Sequence, residues 1–329
     1  MSLGQMAFDI RVNVIVHSKA FSHAKIARDL AKVVNGIVLG YGEVYDVYNQ
    51  NVIVVSTIDY IDISLSSPFI IPSRKCIYYG VAEGIPVLTP SARCILDNCV
   101  VVVPSMFVKR CVEKIGIRVH DVIPHAVNIP DPDPAEVALI RGKLYVDHGC
   151  RYVVGWIGAN QIRKGLDIAF EIGEMLPKDV CLVLITGDGE EEIPSDLPRN
   201  VVYMEKVFKI DNISNYMCAF DVFLNTSRSE GFGLPVFEAL SLGRKVVVPS
   251  IPVFKEYLDG VKGVFFYDVR RPRYELYKNY MWMEYYDPKS IDDIVEKIME
   301  ALRSDDEVDS DYIRRKFNLK IYERFRKWL

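Results

Sequence analysis

Short apolar runs alternate with longer amphipathic stretches along most of the chain, the pattern of successive β-α-β units with a parallel sheet. In the first half the strand-like runs are Ile10 to Val16, Gly36 to Gly40, Val52 to Ser56, Val100 to Val103 and Asp121 to Pro124. A helix is predicted over Ser18 to Val34, where Ile26, Leu30, Val33 and Val34 share a face, and another opens at Pro104-Ser105 and runs to about Ile115. The proline-dense segment Ile129 to Pro134 suits neither helix interior nor sheet and reads as a domain linker.

The second half repeats the scheme with strands at Tyr152 to Ile157, Val180 to Thr186, Val201 to Tyr203, Val222 to Asn225, Lys245 to Val248 and Gly263 to Phe266. Ile291 to Leu302 is amphipathic, and a last helix from about Asp309 carries Ile313, Phe317, Ile321 and Phe325 at four-residue spacing. Right-handed crossovers place helices on both faces of such sheets, so each half is expected to be a doubly wound, Rossmann-like α/β domain. The expected division is 1–130, 131–310, and a closing helix, 311–329, that crosses back to the first domain. A chain of 329 residues exceeds the roughly 250–300 at which one hydrophobic core stops growing, which agrees with two domains.

Composition narrows the function. The chain is 50% hydrophobic and 26% charged with a net charge of −4, an ordinary globular mix that excludes disorder and argues against a nucleic-acid partner. The longest run without Asp, Glu, Lys or Arg, Val47 to Ile58, is shorter than the ~18 apolar residues of a spanning helix, and Met1 to Arg11 lacks the form of a secretory signal. A cytoplasmic protein is expected. Its seven cysteines are odd in number, widely spaced and never C-x-x-C, and they read as reduced, mostly buried thiols.

Charge is distributed unevenly. Ile313 to Leu329 hold seven cations against the single acid Glu323, and 267–287 interleave Arg270, Arg271 and Arg273 with Tyr274, Tyr277, Tyr280, Trp282, Tyr285 and Tyr286. The aromatic stretch is either a packed excursion or a surface for lipid or carbohydrate. The basic tail suits crossover packing with a basic outer face, and weak peripheral contact with an anionic membrane through either feature follows as an expectation.

Two segments sit where open α/β sheets bind ligands, beyond strand carboxyl ends at helix N-termini. The first, Gly155 to Gly165, includes Gly158, Arg163 and Lys164. Adjacent cations at a helix start oppose the macrodipole, and a diphosphate would compensate them, with Arg163 as a bidentate fork and Lys164 as a mobile charge. The second is Glu230-Gly231-Phe232-Gly233-Leu234-Pro235, followed by Glu238 and ended by Gly243. Pro235 suits the first helical position and Gly243 a left-handed cap. Gly231 and Gly233 let the backbone approach a ligand, and Glu230 and Glu238 reach different parts of it. Just beyond the first strand, His17 and Ser18 are possible cleft residues, with an ordinary loop role for His17 equally open. His125 reads as structural.

Glu230 and Glu238 enclosing Gly231-Phe232-Gly233-Leu234 resemble the E-x7-E signature of the retaining glycosyltransferases of family 4, which have the GT-B fold of two Rossmann-like domains around a cleft. Gly158 with Arg163-Lys164-Gly165, Ile185-Thr186-Gly187-Asp188-Gly189 and Val102-Val103-Pro104-Ser105 agree with it. The family commonly has Arg where Ala159 stands, which leaves Arg163 in its place, and no histidine occurs in 62–66. The resemblance implies that Arg163 and Lys164 neutralise the leaving diphosphate and that Glu238 holds the ribose. It further implies that Glu230, with the Gly231 to Leu234 backbone, holds the donor sugar, and that transfer retains configuration. The donor would be UDP-, GDP- or ADP-linked, the acceptor a glycan, lipid-linked or protein, and no metal or other cofactor is required, because fixed cations stabilise the developing negative charge. A silent GT-B module that binds nucleotide or glycan is the alternative. Asp131-Pro132-Asp133 and Asp309-Ser310-Asp311 match the D-x-D pattern of metal-dependent transferases but read as structural, and no G-x-G-x-x-G after a strand supports a dinucleotide-dependent oxidoreductase.

Overall fold

The computed structural model describes residues 12–43, 47–189, 193–194, 196–205 and 212–329. The first two residues of the expected strand Ile10 to Val16 lie outside them. The first half contains β1 (Asn13–His17), β2 (Gly36–Gly40), β3 (Asn51–Thr57), β4 (Lys75–Val81), β5 (Gly84–Pro86), β6 (Val100–Val103) and β7 (Asp121–Val122). All but β5 form a parallel sheet in the order β2-β1-β3-β4-β6-β7. Its helices are α1 (Phe21–Val34), α2 (Tyr60–Ile70), α3 (Pro90–Asp97) and α4 (Met106–Glu113). Side-chain caps fix the starts of the last three: Asp59 accepts from Ile61 and Asp62 N, Thr89 from Ala92 N and Ser105 from Val108 N.

The central strand β4 escapes the apolar-run pattern because its sequence, KCIYYGV, carries two tyrosines. Both are fully buried, and each hydroxyl finds a carbonyl, Tyr78 that of Thr57 and Tyr79 that of Ile123, which removes the cost of burying them.

After an irregular connection, α5 (Pro134–His148) starts inside the expected linker, with Asp133 as its cap and Pro134 in the first turn. The second sheet comprises β8 (Tyr152–Asn160), β9 (Val180–Gly189), β10 (Val201–Glu205), β11 (Val222–Leu224), β12 (Lys245–Pro249) and β13 (Val264–Tyr267). Every pairing is parallel, in the order β10-β9-β8-β11-β12-β13. Numbered within this half the order is 3-2-1-4-5-6, the dinucleotide-fold arrangement whose switch point falls between β8 and β11. Around it lie α6 (Leu166–Met175), α7 (Ile213–Ala219), α8 (Leu234–Ser241), α9 (Pro252–Leu258) and α10 (Ile291–Arg303).

The aromatic stretch is a hairpin, β14 (Arg273–Tyr277) and β15 (Met281–Tyr285), turned by Lys278 and Asn279 at positive φ. β15 also pairs antiparallel with β5 of the first half, so a three-stranded sheet joins the two halves. A Cβ on Gly84 would stand 2.1 Å from the Trp282 carbonyl oxygen, so only glycine permits this approach. Met281, Met283 and Tyr285 are buried, which makes one face of β15 core, whereas Tyr274 and Trp282 remain exposed.

The last helix breaks. α11 (Ser310–Lys316) ends at Phe317, and Leu319–Lys327 continue as a 3₁₀ segment against α1. The three-residue period of that segment turns Tyr322 and Phe325 inward, whereas the expected Ile321 is only half-buried. The Tyr322 hydroxyl accepts from Ala126 N, Arg324 and Lys327 both pair with Asp121, and Arg326 donates to the Val33 carbonyl. Much of the basic tail thus holds the chain end to the first sheet. Among the described residues neither D-x-D stretch gathers a metal set: Asp133 caps α5 and Asp309 accepts from Lys262 N.

The expectation of reduced cysteines is corrected for four of them. Cys76 bonds to Cys99 and Cys150 to Cys181, while Cys94, Cys111 and Cys218 are free. Each bridge joins the starts of neighbouring parallel strands, β4 beside β6 and β8 beside β9, a proximity that spacing along the chain does not reveal. The bridges close loops of 23 and 31 residues, for which chain entropy gives about 3 kcal/mol apiece. Calorimetry with and without a phosphine reductant is expected to show melting lowered by about 4–5 °C for each bridge that opens. Unchanged melting of the fully reduced chain would contradict a stabilising role.

Candidate active site

The site is built at the switch point of the second sheet, where the loops after β8 and β11 lie against each other. β8 runs into a single 3₁₀ turn, Ile162–Lys164, and Gly165 leaves it at φ +70. A Cβ there would come within 2.2 Å of the Thr226 carbonyl oxygen. The Thr226 hydroxyl donates to the Gly165 carbonyl at 2.7 Å and accepts from the Trp156 indole at 2.8 Å, which seals the two loops together. Gly158 lies on β8 above the Trp156 ring, 2.8 Å from where its Cβ would be.

Arg228, which the sequence reading passes over, fixes the turn. Its guanidinium makes a bidentate pair with Asp167, at 2.8 and 2.6 Å, and donates to Asp287 at 2.6 Å and to the Ile162 carbonyl at 2.6 Å. Its backbone N–H donates to the Arg163 carbonyl at 2.8 Å. The planar fork with several matched acceptors is the pattern in which arginine acts as a rigid brace. Its place four residues after the end of β11 and two before Glu230 was the available signal.

The braced turn presents its two cations to carboxylates. Lys164 Nζ is 2.6 Å from Glu230 Oε1, which also accepts from the Ser227 hydroxyl at 2.8 Å. Burial alone would push the Glu230 carboxyl up, but Lys164 and Arg163 outweigh it and hold it below the usual carboxylate range. Glu230 is therefore ionised at neutral pH, while burial lowers the Lys164 pKa against the raising effect of Glu230. Arg163 Nη1 lies 3.5 Å from Glu83 Oε1, in the loop between β4 and β5, and this buried nitrogen makes no hydrogen bond among the described residues. Tyr277 and Tyr280 of the hairpin also stand within its electrostatic reach.

Glu238 is buried one turn into α8. It pairs at 3.2 Å with Lys25 of α1, and burial, opposed by that lysine, raises its pKa. The two carboxylates thus meet different cations, one from each half of the molecule.

The glycine loop differs from its sequence reading. A Cβ on Gly231 would strike Val81 Cγ1 at 2.4 Å and approach the Ala82 carbonyl oxygen at 3.2 Å, and its own carbonyl accepts from the Ser105 hydroxyl. Gly233, at φ +84, faces the Phe254 ring. What approaches the loop is the first half of the same chain. Phe232 is not exposed: it stacks on Phe237 with centroids 4.4 Å apart and meets His125, Tyr257 and Phe317. Leu234 opens α8 and belongs to the same core. The physical reason is that this loop crosses the junction of the halves, where apolar surface is covered from both sides.

Across the cleft, the His17 ring bonds the Ser18 carbonyl, and the buried Ser18 hydroxyl meets His23 Nδ1 at 2.7 Å. His23 is a further residue that the sequence reading missed. Burial lowers its pKa, against the raising effects of Glu83 and Asp62, which favours the neutral imidazole beside Ser18. His125, bonded to the Tyr79 hydroxyl, is pushed down to about 3 by burial and serves the core. Asp59, capping α2, is raised to about 6 by burial.

Residues 151–273 match the family Glycosyl transferases group 1. Among curated proteins, the O-antigen biosynthesis glycosyltransferase WclY of Escherichia coli is 33% identical over 114 residues, 33% of this chain and 31% of that protein. The Uncharacterized glycosyltransferase 335 of Sulfolobus islandicus rod-shaped virus 1 is 23% identical over 195 residues, 56% of this chain and 57% of that one. The chain thus spans about a third of WclY and somewhat over half of the viral protein. Among solved structures, Anabaena HepE in complex with UDP-glucose superposes with a TM-score of 0.70 at 15% identity, covering 95% of this chain and 98% of that one. The α,α-trehalose-phosphate synthase of Burkholderia xenovorans gives 0.67 at 11% identity, covering 96% and 99%. These likenesses establish the GT-B fold of two parallel sheets.

Proposed function

We propose that the protein is a glycosyltransferase that moves a sugar from a nucleotide-sugar to a glycan acceptor in the cleft between its two sheets, with retention and without a metal. The observation that carries this reading is the braced Arg163-Lys164 pair at the switch point, facing Glu230. Breaking a glycosyl–phosphate bond builds negative charge on the diphosphate, and preorganised cations there lower the barrier without needing an ion of their own. Arg228 supplies the preorganisation, because it fixes the backbone on which both cations sit. Glu230, kept ionised, accepts hydrogen bonds from donor sugar hydroxyls. Glu238 holds the ribose. The UDP-glucose complex of HepE and the O-antigen role in the name of WclY favour a uridine donor and a glycan acceptor.

Thermal denaturation with UDP, GDP, ADP, ATP and NAD, each with and without EDTA, tests the reading. A nucleoside diphosphate at ~100 times its dissociation constant is expected to add about 2.7 kcal/mol, and the shift should survive EDTA. Stabilisation by NAD alone would refute it, and a diphosphate shift abolished by EDTA would refute metal independence.

A further inference from the structure

We infer that Glu83 is an internal competitor for the donor diphosphate: its carboxylate holds Arg163 across the cleft, and nucleotide binding displaces it. The inference rests on the donor reading above and adds the residue of this chain that opposes the donor.

Of the two carboxylates that meet the cations, Glu230 belongs to the same half as Lys164 and takes bonds from both Lys164 and Ser227, so it stays with the cations. Glu83 comes from the other half and meets Arg163 at a single 3.5 Å contact, longer than the ~2.7–2.9 Å of a charge-assisted hydrogen bond. Arg163 Nη1 is buried and makes no hydrogen bond among the described residues, so at this nitrogen the contact with Glu83 is one of charge alone. A diphosphate offers it what Glu83 does not, in-plane oxygens at bonding distance for a fork.

Displacement costs little structure. The Glu83 backbone is fixed independently: its carbonyl accepts from the Ser229 hydroxyl at 2.6 Å and from Glu284 N at 3.4 Å, and β5, which starts at the next residue, is paired with β15. The side chain is therefore free to rotate away on an anchored backbone, and the sheet that joins the halves persists while the ion pair across the cleft is lost. Glu83 thus lowers the affinity for any anion at Arg163 without belonging to the fold's support.

Glu83→Gln removes the charge and keeps the shape. Titration calorimetry with UDP, GDP and ADP is expected to show about three- to tenfold tighter binding of the preferred diphosphate than in the unaltered protein, as fits loss of one partly exposed ion pair. Glu83→Asp, which keeps the charge but shortens the reach, should fall between. In an Arg163→Gln background the Glu83→Gln gain should vanish, a dependence that general loosening of the cleft would not produce. If the unaltered protein binds a diphosphate and Glu83→Gln binds it equally or more weakly, the competitor role is overturned while the donor reading stands. A gain that persists without Arg163 also overturns it. If none of the three binds either protein, the donor reading itself fails and takes this inference with it.

Discussion

Lys164→Ala is expected to lower turnover of the preferred nucleotide-sugar by about two to three orders of magnitude, the cost of removing one preorganised donor from a developing anion. The lysine stands on a turn fixed by Arg228, and its ammonium already meets a carboxylate at 2.6 Å, so no search for orientation is required when the diphosphate develops charge. Removing it also leaves Glu230, a mostly buried carboxylate, without its main partner, for which about 3–5 kcal/mol of destabilisation is the usual scale. The two effects are separable. Lys164→Met with Glu230→Gln removes both charges at similar volume and should recover much of the melting temperature without recovering turnover. Circular dichroism followed by donor turnover decides it, and a folded Lys164→Ala that turns over like the unaltered protein would remove Lys164 from the chemistry.

Phe232→Ala is expected to be the most destabilising single change in the loop from Glu230 to Pro235, at about 3–5 kcal/mol. The ring is 2% exposed, stacked on Phe237 and edged by His125, Tyr257 and Phe317, so alanine leaves a cavity bounded by rings that are themselves held in place. Thermal melting should fall by about 4–7 °C, whereas diphosphate affinity measured well below the transition should change little. The opposite result, stable protein with lost affinity, would return Phe232 to the donor site where its neighbours in the sequence suggest it belongs.

The contrast between Lys164 and Phe232 marks how far the sequence reaches. Arg163 and Lys164 stand out because two cations at a helix start contradict the dipole, a local violation visible from neighbours in the chain. Phe232 sits between two glycines before a proline-led helix, and the same local pattern suits a ligand loop or a packed junction. Its environment is supplied by His125 and Phe317, residues far away in sequence, and only their arrival decides which reading applies. Likewise β4 and the 267–287 hairpin are obscured because tyrosines mask the apolar pattern, and the positions of Tyr78 and Tyr79 become intelligible once their hydroxyl partners are known.

The sequence by itself determined the alternation of strands and helices, the left-handed Gly243 just beyond α8, and the placing of Arg163, Lys164, Glu230 and Glu238 beyond strand ends, while Pro235 stands second in α8, after Leu234. These follow from periodicity and backbone preference, which act over a few residues. Tertiary structure alone decided that Gly231 is small for the sake of Val81, that Glu230 pairs with a lysine 66 positions away, that Glu83 opposes Arg163, and that four cysteines bond in pairs. Those depend on which loops the two sheets bring together, and a pattern along one element reports that a face is covered without reporting what covers it.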